Sequence, residues 1–277
     1  MNRPLIKVYL VFICCLALID VKAQDGYFKI DTVKLKRELR IDISFPILRL
    51  LKDTTTSRKI NEYLQFNELH KTGYKGESND LFSEVAPIAD SNSADYMFIN
   101  FSIISNTARV FSVPFGHTSC GATCYYWSAY YNFNPGNGDT ILLSDLFTTE
   151  GYSLIKKAAS EQRTSLLYKA SNSIKYAELA IDTIELSYWD AVVAEYKRDD
   201  LIGDFLIKDT SIFVDGSGFI MKNERVLVGS ISARIDISFF KNYLNDYGKA
   251  VFGVTDEPLG KYHSKGLSKL EHQNKVK

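Results

Sequence analysis

Cysteine is scarce in this 277-residue chain. Four are present, as the pairs Cys14/Cys15 and Cys120/Cys124, too few for a disulfide-dense scaffold. Six prolines exclude a collagen-like or proline-rich chain. No charge excess exists: 33 Lys and Arg balance 33 Asp and Glu, which speaks against a nucleic-acid-binding surface. Phosphate-loop, dinucleotide and zincin motifs are missing. Gly216-Ser217-Gly218 lacks the spacing of a nucleophile elbow and reads as a turn. The loop Asn134–Asp139 has too few acidic residues for a calcium loop, and no carboxylate pair is placed by spacing for glycosidic chemistry. No cofactor and no metal are therefore expected.

What is present is core-forming material. Hydrophobic residues make up 45% of the chain and aromatics 13%, with 17 Tyr and 17 Phe. That suffices for a substantial core and favours strands. One long apolar run stands out, Val8 to Ile19, behind Arg3 and Lys7 and ahead of Val21-Lys22-Ala23. Positive start, short apolar stretch and small-residue site together predict a signal peptide over 1–23, cleaved before Gln24. An uncut membrane anchor is the competing reading, but Asp20 and Lys22 end the run early. The expectation is an exported protein, periplasmic or extracellular, with no transmembrane segment in the mature chain.

Loss of residues 1–23 leaves 30 basic and 32 acidic residues, a net charge of −2. From Lys261 to Lys277 there are five Lys against one Glu and few large apolar residues. Residues 251–277 are assigned to a basic, solvated, mobile tail. Export places Cys120 and Cys124 in an oxidising compartment, and the three residues between them suit a local disulfide. A redox pair is less apt, because two intervening residues are usual there. A zinc site lacks two ligands, since only His117 lies near.

Period-two alternation predicts strands at Leu39–Phe45, Tyr96–Ile103 and Ile231–Phe239. Further strands are expected near Arg109–Phe115, along Tyr125–Phe133 and over Ser211–Val214, with Asp139–Leu143 as hairpin partner of the second. Helices are expected from Ser57 to about Leu69, over Tyr152–Lys169, over Tyr188–Asp199 and over Phe240–Asn245. The mixed order predicts an α+β fold of antiparallel sheet with hairpins and a few packed helices. RIDISF occurs twice, at Arg40–Phe45 and Arg234–Phe239. The alternation of amphipathic strands is enough to explain that echo.

Two features point to a site. His117, of four histidines, lies at a strand end just before the cysteines; His70 ends a helix, where a cation offsets the dipole. Along Tyr125–Asn134, one alternating set is Tyr125, Trp127, Ala129, Tyr131 and Phe133, and the other includes Tyr126, Ser128 and Tyr130. With the first set in the core, Tyr126 and Tyr130 face outward, where rings stack on sugars or anchor a protein partner. A covering helix is the plain alternative. The candidate binding residues are therefore Tyr126, Tyr130 and His117, with no catalytic residues assigned.

Several segments carry a resemblance to a known family. Phe115-Gly116-His117, Tyr131-Asn132-Phe133-Asn134 and Gly138-Asp139-Thr140-Ile141-Leu142-Leu143-Ser144-Asp145-Leu146-Phe147 resemble the C-terminal extracytoplasmic domain of RsiV-type anti-sigma factors, a domain of unknown function. Phe45-Pro46 with Ile60-Asn61 is similar to its companion N-terminal half, also met in PdaC-type peptidoglycan deacetylases. Val228-Gly229 through Ile235, then Phe239 to Leu244, resembles the closing strand and helix. These cover most of 28–247. The chain departs at Asn134, where the family has Asp, at Pro135 and at the cysteine insert. The resemblance implies an extracytoplasmic α+β module in two halves, 24–116 and 117–250. It also implies a non-catalytic binding role toward a glycan such as peptidoglycan or a protein such as lysozyme. The alternative class is a cell-wall hydrolase using His117 with a nearby carboxylate.

Overall fold

The computed structural model describes residues 26–37, 41–50, 53–70, 79–82, 96–121, 124–176, 204–215 and 232–263, with single positions at 191 and 194. The leader 1–23, most of the helix expected over Tyr188–Asp199, and residues 264–277 lie outside the described residues. The fold is α+β.

The larger sheet is built on β5 (Phe111–Cys120). On one side β5 pairs antiparallel with β3 (Tyr96–Phe101) and the two-residue β4 (Ser105–Asn106); on the other it pairs with β6 (Cys124–Phe133). β1 (Lys29–Arg37) and β2 (Ile41–Arg49) form an antiparallel pair that joins through β2. The β2–β3 pairing is parallel, because helix α1 (Thr54–Leu69) intervenes and returns the chain in the same direction. The division at 116/117 falls inside β5, whose pairing with β3 and β6 is continuous through both residues.

α1 begins three residues earlier than the periodicity suggests. Asp53 caps it, its carboxylate accepting from the Thr55 and Thr56 amides at 2.9 and 3.2 Å. Its buried residues recur every four: Ile60, Leu64 and Glu68, with Thr56/Ser57, Asn61, Gln65 and Leu69 beside them. Asn61 binds β2 like a neighbouring strand, accepting from the Leu48 amide at 2.9 Å and donating to its carbonyl at 2.8 Å. Below lie Ile43, Phe45, Ile47, Phe111, Val113, Phe115 and Phe133, all buried.

A second core lies under α2 (Thr149–Tyr176), which exceeds the expected Tyr152–Lys169 at both ends. Ile155 and Ala159 of α2 belong to one buried cluster with residues of the three-stranded antiparallel sheet, β7 (Phe205–Lys208), β8 (Ser211–Val214) and β9 (Ala233–Asp236). The strand expected over Ile231–Phe239 ends at Asp236. There the Asp236 carboxylate accepts from the Ser238 amide at 2.8 Å and starts a 3-10 helix, Ile237–Tyr243, followed by α3 (Asp246–Val251). The expected Asp139–Leu143 strand is reduced to one bridge, Phe133 to Thr140. Gly138 at φ 75° turns the chain there, and Leu143–Asp145 forms a 3-10 turn.

Within 251–263 the chain is tied down at several points, although most of these residues are exposed. Leu259 is buried, Tyr262 stacks on Tyr247 at 5.0 Å, and Asn134 donates to the carbonyls of Leu259 and Tyr262 at 3.0 and 3.2 Å. Among the described residues, no helix is long and apolar enough to cross a membrane.

Candidate functional site

The β5–β6 hairpin register places His117 opposite Trp127, Phe115 opposite Ala129 and Val113 opposite Tyr131. Opposed residues share a face, so these six look toward the end of α1. There Glu68, one turn beyond Leu64 on the buried stripe, reaches the sheet. The Tyr131 hydroxyl donates to Glu68 Oε1. Glu68 Oε2 stands 2.6 Å from His117 Nε2, a close polar contact that lies off the line of an N–H bond. The Glu68 and His117 side chains are only 2% and 8% exposed. Burial, then the Glu68 charge and hydrogen bond, push the Tyr131 phenol far above its ordinary value. Tyr63 packs edge-on against Tyr131 at 5.9 Å.

Trp127 completes this corner. Its indole lies flat on the His117 imidazole, centroids 4.8 Å apart and planes within 4°, yet it is 48% exposed. Glu68, His117, Trp127 and Tyr131 line a cleft of about 310 Å³, with Met97, Ile99 and Ala129 as its apolar part.

The opposite face carries the other alternating set. Tyr126 is 55% exposed. Tyr130 is half-buried, and desolvation and then the nearby Asp215 raise its phenol pKa. Asp204 nearby is raised by partial burial and then by Asp215. The two sets therefore do point to opposite faces, but burial also grades along the strand. Phe133 and Asn132 are buried at one end, while Trp127 and Tyr126 are exposed at the other. A Cys120–Cys124 disulfide closes the exposed end, joining directly opposed residues.

The structure thus brings His117 and the cysteine pair to one hairpin end with Tyr126, and sets Tyr130 apart near Asp215. Sequence reasoning did not single out Glu68. Its signal was available: a carboxylate on the apolar stripe of a helix, at the spacing Ile60, Leu64, Glu68. Trp127 was placed with the core-facing set, which gives the correct face but not its exposure. Among the described residues no group of His, Cys, Asp and Glu is arranged to hold a metal ion.

No family model matches the chain, and no curated protein matches it. Solved structures do. A member of the DUF3298 family from Bacteroides fragilis is 14% identical, with a TM-score of 0.54, over 84% of this chain and 99% of that one. A DUF3298 family protein from Pseudomonas aeruginosa is 8% identical, with a TM-score of 0.51, over 81% and 96%. At such identities the likeness is one of fold, and it extends over nearly the whole length of both neighbours.

Proposed function

We propose that the chain is an exported, non-catalytic binding module of the cell envelope, directed at a glycan such as peptidoglycan or a protein such as lysozyme. The observation that carries this reading is the pair of large exposed rings, Trp127 and Tyr126, on the two faces of one disulfide-closed hairpin end. Exposed aromatics on a held scaffold are what binding surfaces use, since a rigid ring loses little freedom on contact. His117 supports Trp127 from beneath, and Tyr126 faces solvent. The leader read over 1–23 supports export, and the resemblance to RsiV-type and PdaC-type extracytoplasmic domains supports an envelope setting. Co-sedimentation with peptidoglycan sacculi and capture on immobilised lysozyme test it. Tyr126→Ala should weaken retention by about 1–3 kcal/mol with the fold intact. Retention by neither would sink the reading.

One observation favours a second reading, a cell-wall hydrolase. His117 Nε2 is 2.6 Å from Glu68 at a cleft, the arrangement of a base and its orienting carboxylate. Against it, Trp127 covers the imidazole face and Glu68 also takes the Tyr131 hydroxyl, so the pair is arranged as a support. Clearing of a sacculus suspension by the wild type, lost in His117→Ala, would establish the hydrolase instead.

A further inference from the structure

We propose that the cleft beside Trp127 is a subsite for one neutral sugar ring of a glycan chain. This rests on the binding-module reading and names its ligand class. A volume of about 310 Å³ lies at the small end of ligand pockets, enough for one ring and not for a helix or a folded segment. Among the described residues, the lining contains no Lys and no Arg. A phosphate, sulfate or carboxylate would thus face the Glu68 carboxylate without a strong counter-charge, and a nucleotide would share that difficulty. A cationic group would compete with His117, which already stands 2.6 Å from Glu68. A neutral ligand disturbs neither.

The remaining chemistry is that of an amphipathic ring. Indole, Met97, Ile99 and Ala129 present apolar surface, while Asn67, His70 and Tyr131 contribute polar groups. A pyranose has the same duality, with C–H bonds on a face and hydroxyls around its rim. Trp127 is held before any ligand arrives. It is stacked on His117, which Glu68 holds, and its strand is joined to β5 by the disulfide. A fixed platform has little ordering left to lose on binding.

Tri-N-acetylchitotriose, a neutral trisaccharide, tests this by calorimetry and by tryptophan emission. Trp189→Phe serves as background, so that emission reports Trp127 alone. The trisaccharide should bind and shift the emission, and a sulfated heparin trisaccharide should not bind. Trp127→Ala and Ala129→Leu, which fills the cleft, should each weaken binding by at least about tenfold. Trp127→Phe should retain most of it, and Phe239→Ser, a change at a distant residue 81% exposed, should leave it unaltered. Should Ala129→Leu fail to fold by circular dichroism, the comparison of Trp127→Ala with Trp127→Phe decides. Sacculus binding that survives both cleft substitutions overturns the subsite and leaves the module reading standing. Capture of lysozyme without binding of trisaccharide or sacculi overturns the glycan class alone. Binding of none of the three overturns both.

Discussion

Glu68 is where sequence and fold pull hardest against each other. A helix stripe of Ile60, Leu64 and Leu69 would ordinarily continue with an apolar residue, and instead a carboxylate enters the interior. It is tolerated because Tyr131 donates to one oxygen and His117 stands at the other. Removing it strands both partners. Glu68→Ala should lower stability by about 3 kcal/mol, read from the urea midpoint. Glu68→Gln keeps an acceptor for Tyr131 and should lose less. Trp127 emission should change in the alanine variant, because the imidazole beneath it is no longer held; unchanged emission would mean that Glu68 does not position His117. Asp204 gives a prediction of opposite sign. Its pKa is raised in the folded chain by desolvation and then by Asp215, so the folded state holds that proton more tightly than the unfolded one. The favourable contribution is complete below the unfolded pKa and is lost as pH rises through the folded value. Asp204→Asn should therefore stabilise the protein at neutral pH and change little at a pH below the unfolded carboxyl pKa. Equal effects at both pH values would contradict the assigned cause.

At the scale of elements, β2 and β3 were legible because a half-buried strand has period two: Ile41, Ile43 and Phe45 are buried in the one and Ile99 in the other. Helix ends were less so. The periodicity starts the helix at Ser57, but Asp53 captures the Thr55 and Thr56 amides and starts it three residues earlier. Asn134 shows a limit of another kind. Where the resembled family has Asp, the amide here donates to two carbonyls of residues more than 120 positions away, a partnership no local pattern reveals. Nor could charge alone show that Leu259 and Tyr262 anchor the stretch after α3, since Leu259 contributes through burial and not through periodicity. The exposure of Trp127 follows from its distance along the hairpin, not from its face. The cysteine pair was readable from its spacing together with the expected export. Closing so short a loop should stabilise by at most about 2 kcal/mol. Reduction should lower the urea midpoint slightly while retaining the far-ultraviolet spectrum; complete unfolding on reduction would show that the disulfide carries far more of the fold than loop closure accounts for.

Across the whole molecule, one buried amide bridges the two sheets. The Ser112 hydroxyl donates to Asn132 Oδ1 at 2.7 Å, the Ile207 amide donates to the same oxygen at 2.9 Å, and Asn132 Nδ2 donates to the Phe205 carbonyl at 2.7 Å. Asn132 is buried, on the face of β6 away from α1. It thus links β5 and β6 to β7 and stands between the core under α1 and the core under α2. Only an amide satisfies all three bonds at once. A carboxylate offers no donor to the Phe205 carbonyl, and an aliphatic residue leaves the Ile207 amide without its acceptor in the interior. Asn132→Ala should therefore lower stability by about 2–3 kcal/mol, and Asn132→Asp should cost a comparable amount. The form of the loss matters more than its size. If this side chain couples the two cores, calorimetric unfolding should change from one transition into two, the core under α2 melting first because its sheet has three short strands. A uniformly lowered single transition would mean instead that the coupling runs through the packing around β7 and that Asn132 contributes its hydrogen bonds alone.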